Sequence, residues 1–296
     1  MLTKNQFDIL NCIYNSKDKL TQRQLSNQTK LSLGLINKNI KDFLNNNLID
    51  NNYHITQNGL DVLEPYRVKK AVIIAAGLGS RLIPVTLSTP KPLVRVKGER
   101  MIDSTLNALK KVGIDEIYIV RGYLKQQFNE LLIDYPNIKF IDNDKYNEAN
   151  NIYSIYLAKE HLENAYILEA DWILYNQNLI QKYQYSSNYL GIPTQQTNDW
   201  CFYVSNKYIT KVAIGGQNCH RMVGMSYWTE SDGRQLGIDV EKVLHSPGGK
   251  ERYWDQVPLE YYKNNYKLAI RECNDNDLIE IDTFNELKAI DSSYDM

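Results

Sequence analysis

Charge imbalance, paired cysteines and long apolar runs are all missing from this 296-residue chain. The formal net charge is −1, from 34 Lys and Arg against 35 Asp and Glu. No whole-chain basic field therefore points to nucleic acid or to an acidic membrane. The four cysteines, Cys12, Cys201, Cys219 and Cys273, are scattered without a C-x-x-C pair. That argues against a zinc site and a disulfide framework, and fits buried or indifferent thiols in a reducing compartment. The start, Met1-Leu2-Thr3-Lys4-Asn5-Gln6, is no signal peptide, and no apolar run approaches the ~20 residues of a membrane span. A soluble, cytoplasmic protein without membrane insertion is the expectation. Internal repeats and low-complexity linkers are absent too, and the length suits one large domain plus a small one, or two medium ones.

What the chain does contain is organised around Ala71–Pro92. The run Ala71-Val72-Ile73-Ile74-Ala75 is short, apolar and β-branched, which reads as a buried parallel strand. Ala76-Gly77-Leu78-Gly79-Ser80-Arg81 follows. Its glycines allow positive φ and a close approach to a ligand, and its N–H groups suit phosphate. Arg81 and Lys91 add two cations beside the loop, so the combination asks for a polyphosphate. Two templates fail. No lysine followed by Ser or Thr comes after the second glycine, which excludes a P-loop ATPase. Leu82 stands where a dinucleotide fingerprint needs its third glycine.

Residues 1–66 form a small helical head. Phe7, Ile9, Leu10, Ile13 and Tyr14 keep a helical spacing. Thr21 can cap a second helix carrying Leu25, and Ser32 a third with Leu35, Ile36, Ile40, Phe43 and Leu44 on its apolar face. Leu48–Thr56 reads as two short strands around Asn51-Asn52, closed by Gln57-Asn58-Gly59-Leu60. This order resembles a winged helix-turn-helix domain. Its third helix offers Asn37, Lys38, Asn39 and Lys41. Seven Lys and Arg against six Asp and Glu leave the segment only weakly basic. DNA binding and a protein-interaction or dimerisation role both stay open, the latter giving a homo-oligomer.

From residue 69 to 296, after a boundary between Pro65 and Lys69, strands and helices alternate. Helical patterns at 100–112 and 123–132 separate strands at 116–120 and 138–141. This predicts an α/β body with a doubly wound, Rossmann-like sheet and ligands at the carboxyl ends of its strands. Tyr166-Ile167-Leu168-Glu169-Ala170-Asp171 is such a strand, ending in a carboxylate suited to Mg²⁺ beside a triphosphate. Leu278-Ile279-Glu280-Ile281-Asp282 repeats the pattern, although Asp282 could instead cap a helix at 283–290. Glu280 shares the face of Asp282. Asn150 or Asn151 could likewise be a helix cap. The 22 tyrosines are many, and all four tryptophans lie after residue 170. Trp200, Tyr203, Trp228, Tyr253 and Trp254, with Asp255 and Glu280, could pack a core or form the aromatic and acidic receptor of a quaternary ammonium.

Three pieces in order, Ala75-Ala76-Gly77-x-Gly79-x-Arg81, Pro84-x-Thr86 and Pro90-Lys91-Pro92-Leu93-Val94, resemble the signature of the sugar-nucleotidyltransferase-like family. Asn150–Ser154, Glu169–Asp171, Tyr253–Asp255 and Ile279–Asp282 resemble its bacterial CTP:phosphocholine cytidylyltransferases, over residues 69–291. The appended head departs from the minimal enzyme of that group. The resemblance implies a nucleotide held by Ala75, Ala76, Gly77, Gly79, Ser80, Arg81 and Asn150. It implies Mg²⁺ on Asp171 and Asp282, with Arg81, Lys91 and Asp171 catalytic. Phosphocholine would then meet Asn151, Trp200, Trp228, Tyr253, Trp254, Asp255 and Glu280. The implied reaction joins CTP and phosphocholine to CDP-choline and pyrophosphate. Phosphoethanolamine, 2-aminoethylphosphonate or a sugar 1-phosphate are alternative acceptors. A nucleotide-sensing transcriptional regulator is the alternative of another class.

Overall fold

Threonine and serine caps set the N-terminal helices. In the computed structural model, which describes residues 1–16 and 18–295, Thr3 starts α1 (Lys4–Asn15) and Thr21 starts α2 (Gln22–Thr29). Each hydroxyl accepts from the third helical N–H, while Gln6 and Gln24 accept back from the cap's own N–H. Ser32 caps α3 (Leu33–Asn45). The wing is a single bridge, Ile49 to Ile55, turned by the Asp50 carboxylate, which accepts from the N–H groups of Asn52 and His54 at 2.8 Å each. Thr56 then caps α4 (Gln57–Leu63) where the sequence suggested only a closing segment.

Phe7, Leu10, Leu25, Ile36 and Phe43 join Leu63 and Tyr183 in the core of this unit. The unit comprises Met1–Arg67 together with Tyr183–Tyr185. Tyr185 stacks on Tyr66 at 5.5 Å between ring centroids, and Tyr183 meets Tyr14 edge-on at 5.0 Å. Nothing local in the sequence marks this late segment as part of the head.

The second unit begins with β1 (Lys70–Ala75), whose apolar run is buried as a central strand must be. A short hairpin, β2 (Arg95–Val96) and β3 (Glu99–Arg100), leads into α5 (Asp103–Lys111) and β4 (Glu116–Arg121). The single helix expected at 123–132 is instead 3₁₀ turns at Lys125–Glu130 and one turn of α6 (Leu131–Asp134). Leu124 lies at φ +48°, and a right-handed helix cannot run through that conformation. Then come β5 (Ile138–Asp142), α7 (Ile152–Leu157), β6 (Ala165–Glu169) and β7 (Trp172–Leu174). A long hairpin follows, β8 (Asn188–Ser205) and β9 (Tyr208–Trp228). The chain closes with α8 (Glu230–Leu244), β10 (Ala269–Glu272), β11 (Leu278–Glu280) and α9 (Phe284–Ile290).

Seven strands form one sheet in the order β10-β8-β9-β6-β1-β4-β5. The half from β6 to β5 is parallel, as the alternating pattern predicts. The other half is mixed: β9 runs antiparallel to both β6 and β8, and β10 pairs parallel with β8. Leu106 and Leu109 of α5 cover one face, and Leu236 and Val240 of α8 the other. Two consequences position the site. The register Ile74↔Glu169 sets the glycine loop after β1 beside the segment after β6. A two-stranded sheet pairs β7 with β11 antiparallel, and Ile281 N–H donates to the Asp171 carbonyl at 3.0 Å.

Candidate active site

The turn after β1 owes its shape to Gly79, which takes φ +62° and packs against the lysine that follows it. A methyl group built on Gly79 would stand 3.0 Å from Cβ of Lys91 and 3.1 Å from Cγ2 of Thr86. The Thr86 hydroxyl donates to the Gly79 carbonyl at 2.8 Å and pins the loop. Gly77 is exposed, with open space where a side chain would be, so the backbone there is free to meet a ligand.

Loop and strand ends open into a cavity of about 480 Å³. Ala75, Ala76, Gly77, Gly79, Arg81 and Lys91 line one end of it. Ser80, also expected there, is exposed in a 3₁₀ turn and stays off the wall.

Lys91 reaches across the cavity floor. Its Nζ lies 3.0 Å from Asp171 Oδ2 and 2.9 Å from Asp282 Oδ1, and Arg81 donates to that same Asp282 oxygen at 2.8 Å. Burial works against the charge on Lys91, but the two carboxylates outweigh it and hold its pKa above the usual value. Oxygens of Asp171, Glu280 and Asp282 lie within 4.8 Å of one another. Asp171 Oδ1 is buried and has no hydrogen-bond partner. An orphaned carboxylate oxygen among hard oxygen donors fits a divalent cation such as Mg²⁺. Burial, then Asp171 and Asp282, push Glu280 up to about 8. The helix-cap alternative for Asp282 is not realised, because Thr283 caps α9.

The opposite end is acidic and partly aromatic. Trp200 and Tyr253 meet edge-to-face at 6.0 Å on the wall, near Asp255 and Asn151. Asp255 is buried and accepts from the Tyr189 hydroxyl at 2.9 Å; burial pushes its pKa up to about 7 although that hydrogen bond opposes the shift. Asn151 sits at the N-cap position of α7 without a cap bond, and its side-chain oxygen accepts from Trp254 N–H at 2.9 Å.

Three further expected site residues belong elsewhere. Trp228 and Trp254 are 0 % and 2 % exposed and pack against Tyr189 in the core on the α8 side. Large apolar surface with room to bury sinks into the core, as both rings do here. Asn150 is a structural pin: its backbone N–H donates to the Lys250 carbonyl at 2.7 Å and its side chain to the Glu251 carbonyl at 3.2 Å.

Among the wall residues that the sequence reading did not single out are Glu169, Asp199, Met222 and Gly224. For Glu169 a signal existed, since it shares the face of Asp171 two positions on. Asp199, Met222 and Gly224 lie on the long hairpin, whose path no periodicity announced. In all, six carboxyl groups (Glu169, Asp171, Asp199, Asp255, Glu280 and Asp282) face the cavity against two cations, Arg81 and Lys91. A triphosphate entering such a cavity must bring cations with it.

Known proteins resemble this chain along both of its units. The sequence profile described as nucleotidyl transferase matches residues 70–192, and that described as winged helix-turn-helix DNA-binding matches residues 2–50. The chain is 36 % identical over 228 residues to 2-aminoethylphosphonate cytidylyltransferase of Lancefieldella rimae, covering 76 % of this chain and 92 % of the relative. It is 34 % identical over 224 residues to choline-phosphate cytidylyltransferase of Streptococcus pneumoniae, covering 75 % and 96 %. The solved structure of CTP:phosphocholine cytidylyltransferase from Streptococcus pneumoniae superposes with a TM-score of 0.70 at 32 % identity, over 77 % of this chain and 99 % of that one.

Proposed function

Because the chain belongs to the nucleotidyl transferase family, we propose that it is a Mg²⁺-dependent cytidylyltransferase joining CTP to phosphocholine, with CDP-choline and pyrophosphate as products. A phosphate oxygen of the acceptor attacks the α-phosphorus of CTP in line, and pyrophosphate leaves. No side chain has to become a nucleophile. The protein holds two anions together and neutralises the charge between them. Loop N–H groups at Ala76, Gly77 and Gly79 face the triphosphate. Lys91 steadies the α-phosphate and the acceptor phosphate, and Arg81 holds the leaving pyrophosphate. Asp171 and Asp282, with Glu280, are the residues that would hold Mg²⁺, which when bound supplies charge neutralisation and Lewis-acid polarisation at the phosphates.

The single observation that carries the choice of acceptor is the wall opposite the loop. There the Trp200 and Tyr253 rings stand among carboxyl groups, which is the receptor chemistry of a quaternary ammonium. The excess of carboxyl groups favours a second reading, a primary ammonium as in 2-aminoethylphosphonate, whose N–H groups need acceptors. Both acceptors place a cation two carbons from a phosphoryl or phosphonyl group. Pyrophosphate release with Mg²⁺ separates them: CTP, UTP and ATP against phosphocholine, phosphoethanolamine, 2-aminoethylphosphonate and glucose 1-phosphate. A maximum at CTP with phosphocholine is expected. A maximum at an amine keeps the mechanism and changes the acceptor, whereas silence throughout would favour the nucleotide-sensing regulator.

For the winged-helix unit the reading is duplex DNA. Gln22, Asn37, Lys38 and Lys41 line one concave face and offer amide and ammonium donors to a phosphate backbone.

A further inference from the structure

On the sheet, β6 and β9 pair through Ile167↔Ser226 and Leu168↔Met225, so the next position brings Glu169 opposite Gly224. A methyl group built on Gly224 would stand 2.6 Å from Cγ, Cδ and Oε2 of Glu169. The carboxyl group thus occupies the space that a side chain at 224 would fill. Gly224 does not need glycine for its backbone, because its φ lies outside the left-handed region. Its missing side chain has a different consequence: it seats Glu169 in the cavity wall.

Among the described residues no group hydrogen-bonds to the Glu169 carboxyl or forms an ion pair with it. Glu169 is half-buried and open to the cavity, whereas the fully buried Asp239 in the same unit is paired and accepts from Asn265, Tyr266 and Gln235. A carboxyl group seated in a substrate cavity by a glycine, and left without a partner, is shaped to receive one from outside. Asp171 and Asp282 already have Lys91.

We propose that Glu169 binds the cationic nitrogen of the acceptor, and that Gly224 determines acceptor specificity by leaving room for it. This rests on the reading that the acceptor is a cation, and it adds a charge partner to the rings of Trp200 and Tyr253. A larger residue at 224 would push the carboxyl group out and turn the same fold toward uncharged acceptors.

The test uses the full chain with CTP and Mg²⁺, and compares phosphocholine with its uncharged carbon analogue, 3,3-dimethylbutyl phosphate. The readout is the ratio of kcat/KM for the two. Glu169→Gln should lower that ratio at least roughly tenfold, since truncating one partner of a buried charge pair is costly. KM for CTP should not change. Gly224→Ala keeps every charge and should lower the ratio in the same direction by displacing the carboxyl group. The atoms nearest its new methyl, Cγ, Cδ and Oε2, all belong to the flexible side chain of Glu169 and not to backbone, so the variant should fold even if Glu169→Gln does not. An unchanged ratio in either folded variant overturns the proposal. An equal loss on both acceptors, with KM for CTP or Mg²⁺ raised, also overturns it and assigns Glu169 to the triphosphate. If instead the wild-type chain does not prefer phosphocholine to its analogue, the cationic-acceptor reading itself is what fails.

Discussion

The glycine loop and its lysine, at the end of the cavity proposed for phosphate, come from one stretch of chain between Ala75 and Pro92, met there only by the carboxylates of Asp171, Glu280 and Asp282, whereas the opposite end draws on residues near 151, 169, 200, 223 and 254. The first is a turn. Its chemistry is fixed by which residues are neighbours: a glycine at positive φ, a threonine that pins its carbonyl, a lysine packed on the glycine. The second exists only because β6, β9 and the segment around Tyr253 are brought together by the sheet. Adjacent residues there meet opposite fates. Tyr253 is 47 % exposed on the wall, and Trp254 is buried behind it. A turn motif can be recognised as a string. A wall is a property of strand order and of which face each residue takes.

Damage to the phosphate end should have the largest effect on chemistry. Asp171→Asn should lower kcat by roughly 10²- to 10³-fold, while the fold survives because Lys91 keeps its contact with Asp282. Pyrophosphate release at saturating CTP and Mg²⁺ reads this, and near-normal kcat would remove Asp171 from the metal set. At the other end the two tryptophans should part company. Trp254→Ala should cost about 3–5 kcal/mol of stability by emptying core volume, measured by denaturant unfolding. An effect on acceptor KM at full stability would return that ring to the wall. Trp200→Ala should leave stability nearly alone and raise KM for phosphocholine by roughly 2- to 30-fold, as loss of a cation–π partner does. An equal rise in KM for CTP would make the ring mere packing.

Asp255 sharpens the contrast through pH. Its pKa is near 7 in the folded protein and 3.8 as a free side chain, so between those values the folded state binds more protons than the unfolded one. From this group, stability should therefore fall as pH rises from about 4 to 7 and level off above. The cationic acceptor favours the ionised form, so KM for phosphocholine should fall as pH rises through about 7. An uncharged analogue should show no such slope. If both acceptors follow the same profile, Asp255 does not sense the acceptor's charge. The smallest effect concerns the head. Replacing Lys38 and Lys41 by alanine should reduce the salt slope of duplex DNA binding by about two, read by anisotropy of the full chain. Anisotropy of the unaltered protein that stays flat at low salt would exclude the duplex.

Much of the fold was legible where structure is local. Thr21 and Ser32 cap the helices that their positions announced. The apolar runs of β1 and β6 are buried and parallel, as such runs in an alternating chain should be. Legibility ended at the hairpin of β8 and β9, whose strands carry polar residues on exposed stretches and bulges that break a period of two. It ended also at Leu124, because a leucine gives no warning of positive φ. Asp199, Met222 and Gly224 were missed with that hairpin.

By itself the sequence determined the glycine loop, the two cations beside it, the carboxylates that close two strands, and the capped helices of the head. Each depends on residues a few positions apart, where covalent connection does the positioning. Tertiary structure alone decided that Lys91 would bridge Asp171 and Asp282, and that Trp200 would face the cavity while Trp228 and Trp254 fill the core. It also decided that a glycine would seat Glu169 in the wall. These contacts join residues remote in the chain. Their distances are set by strand order and register, which no short stretch of sequence contains.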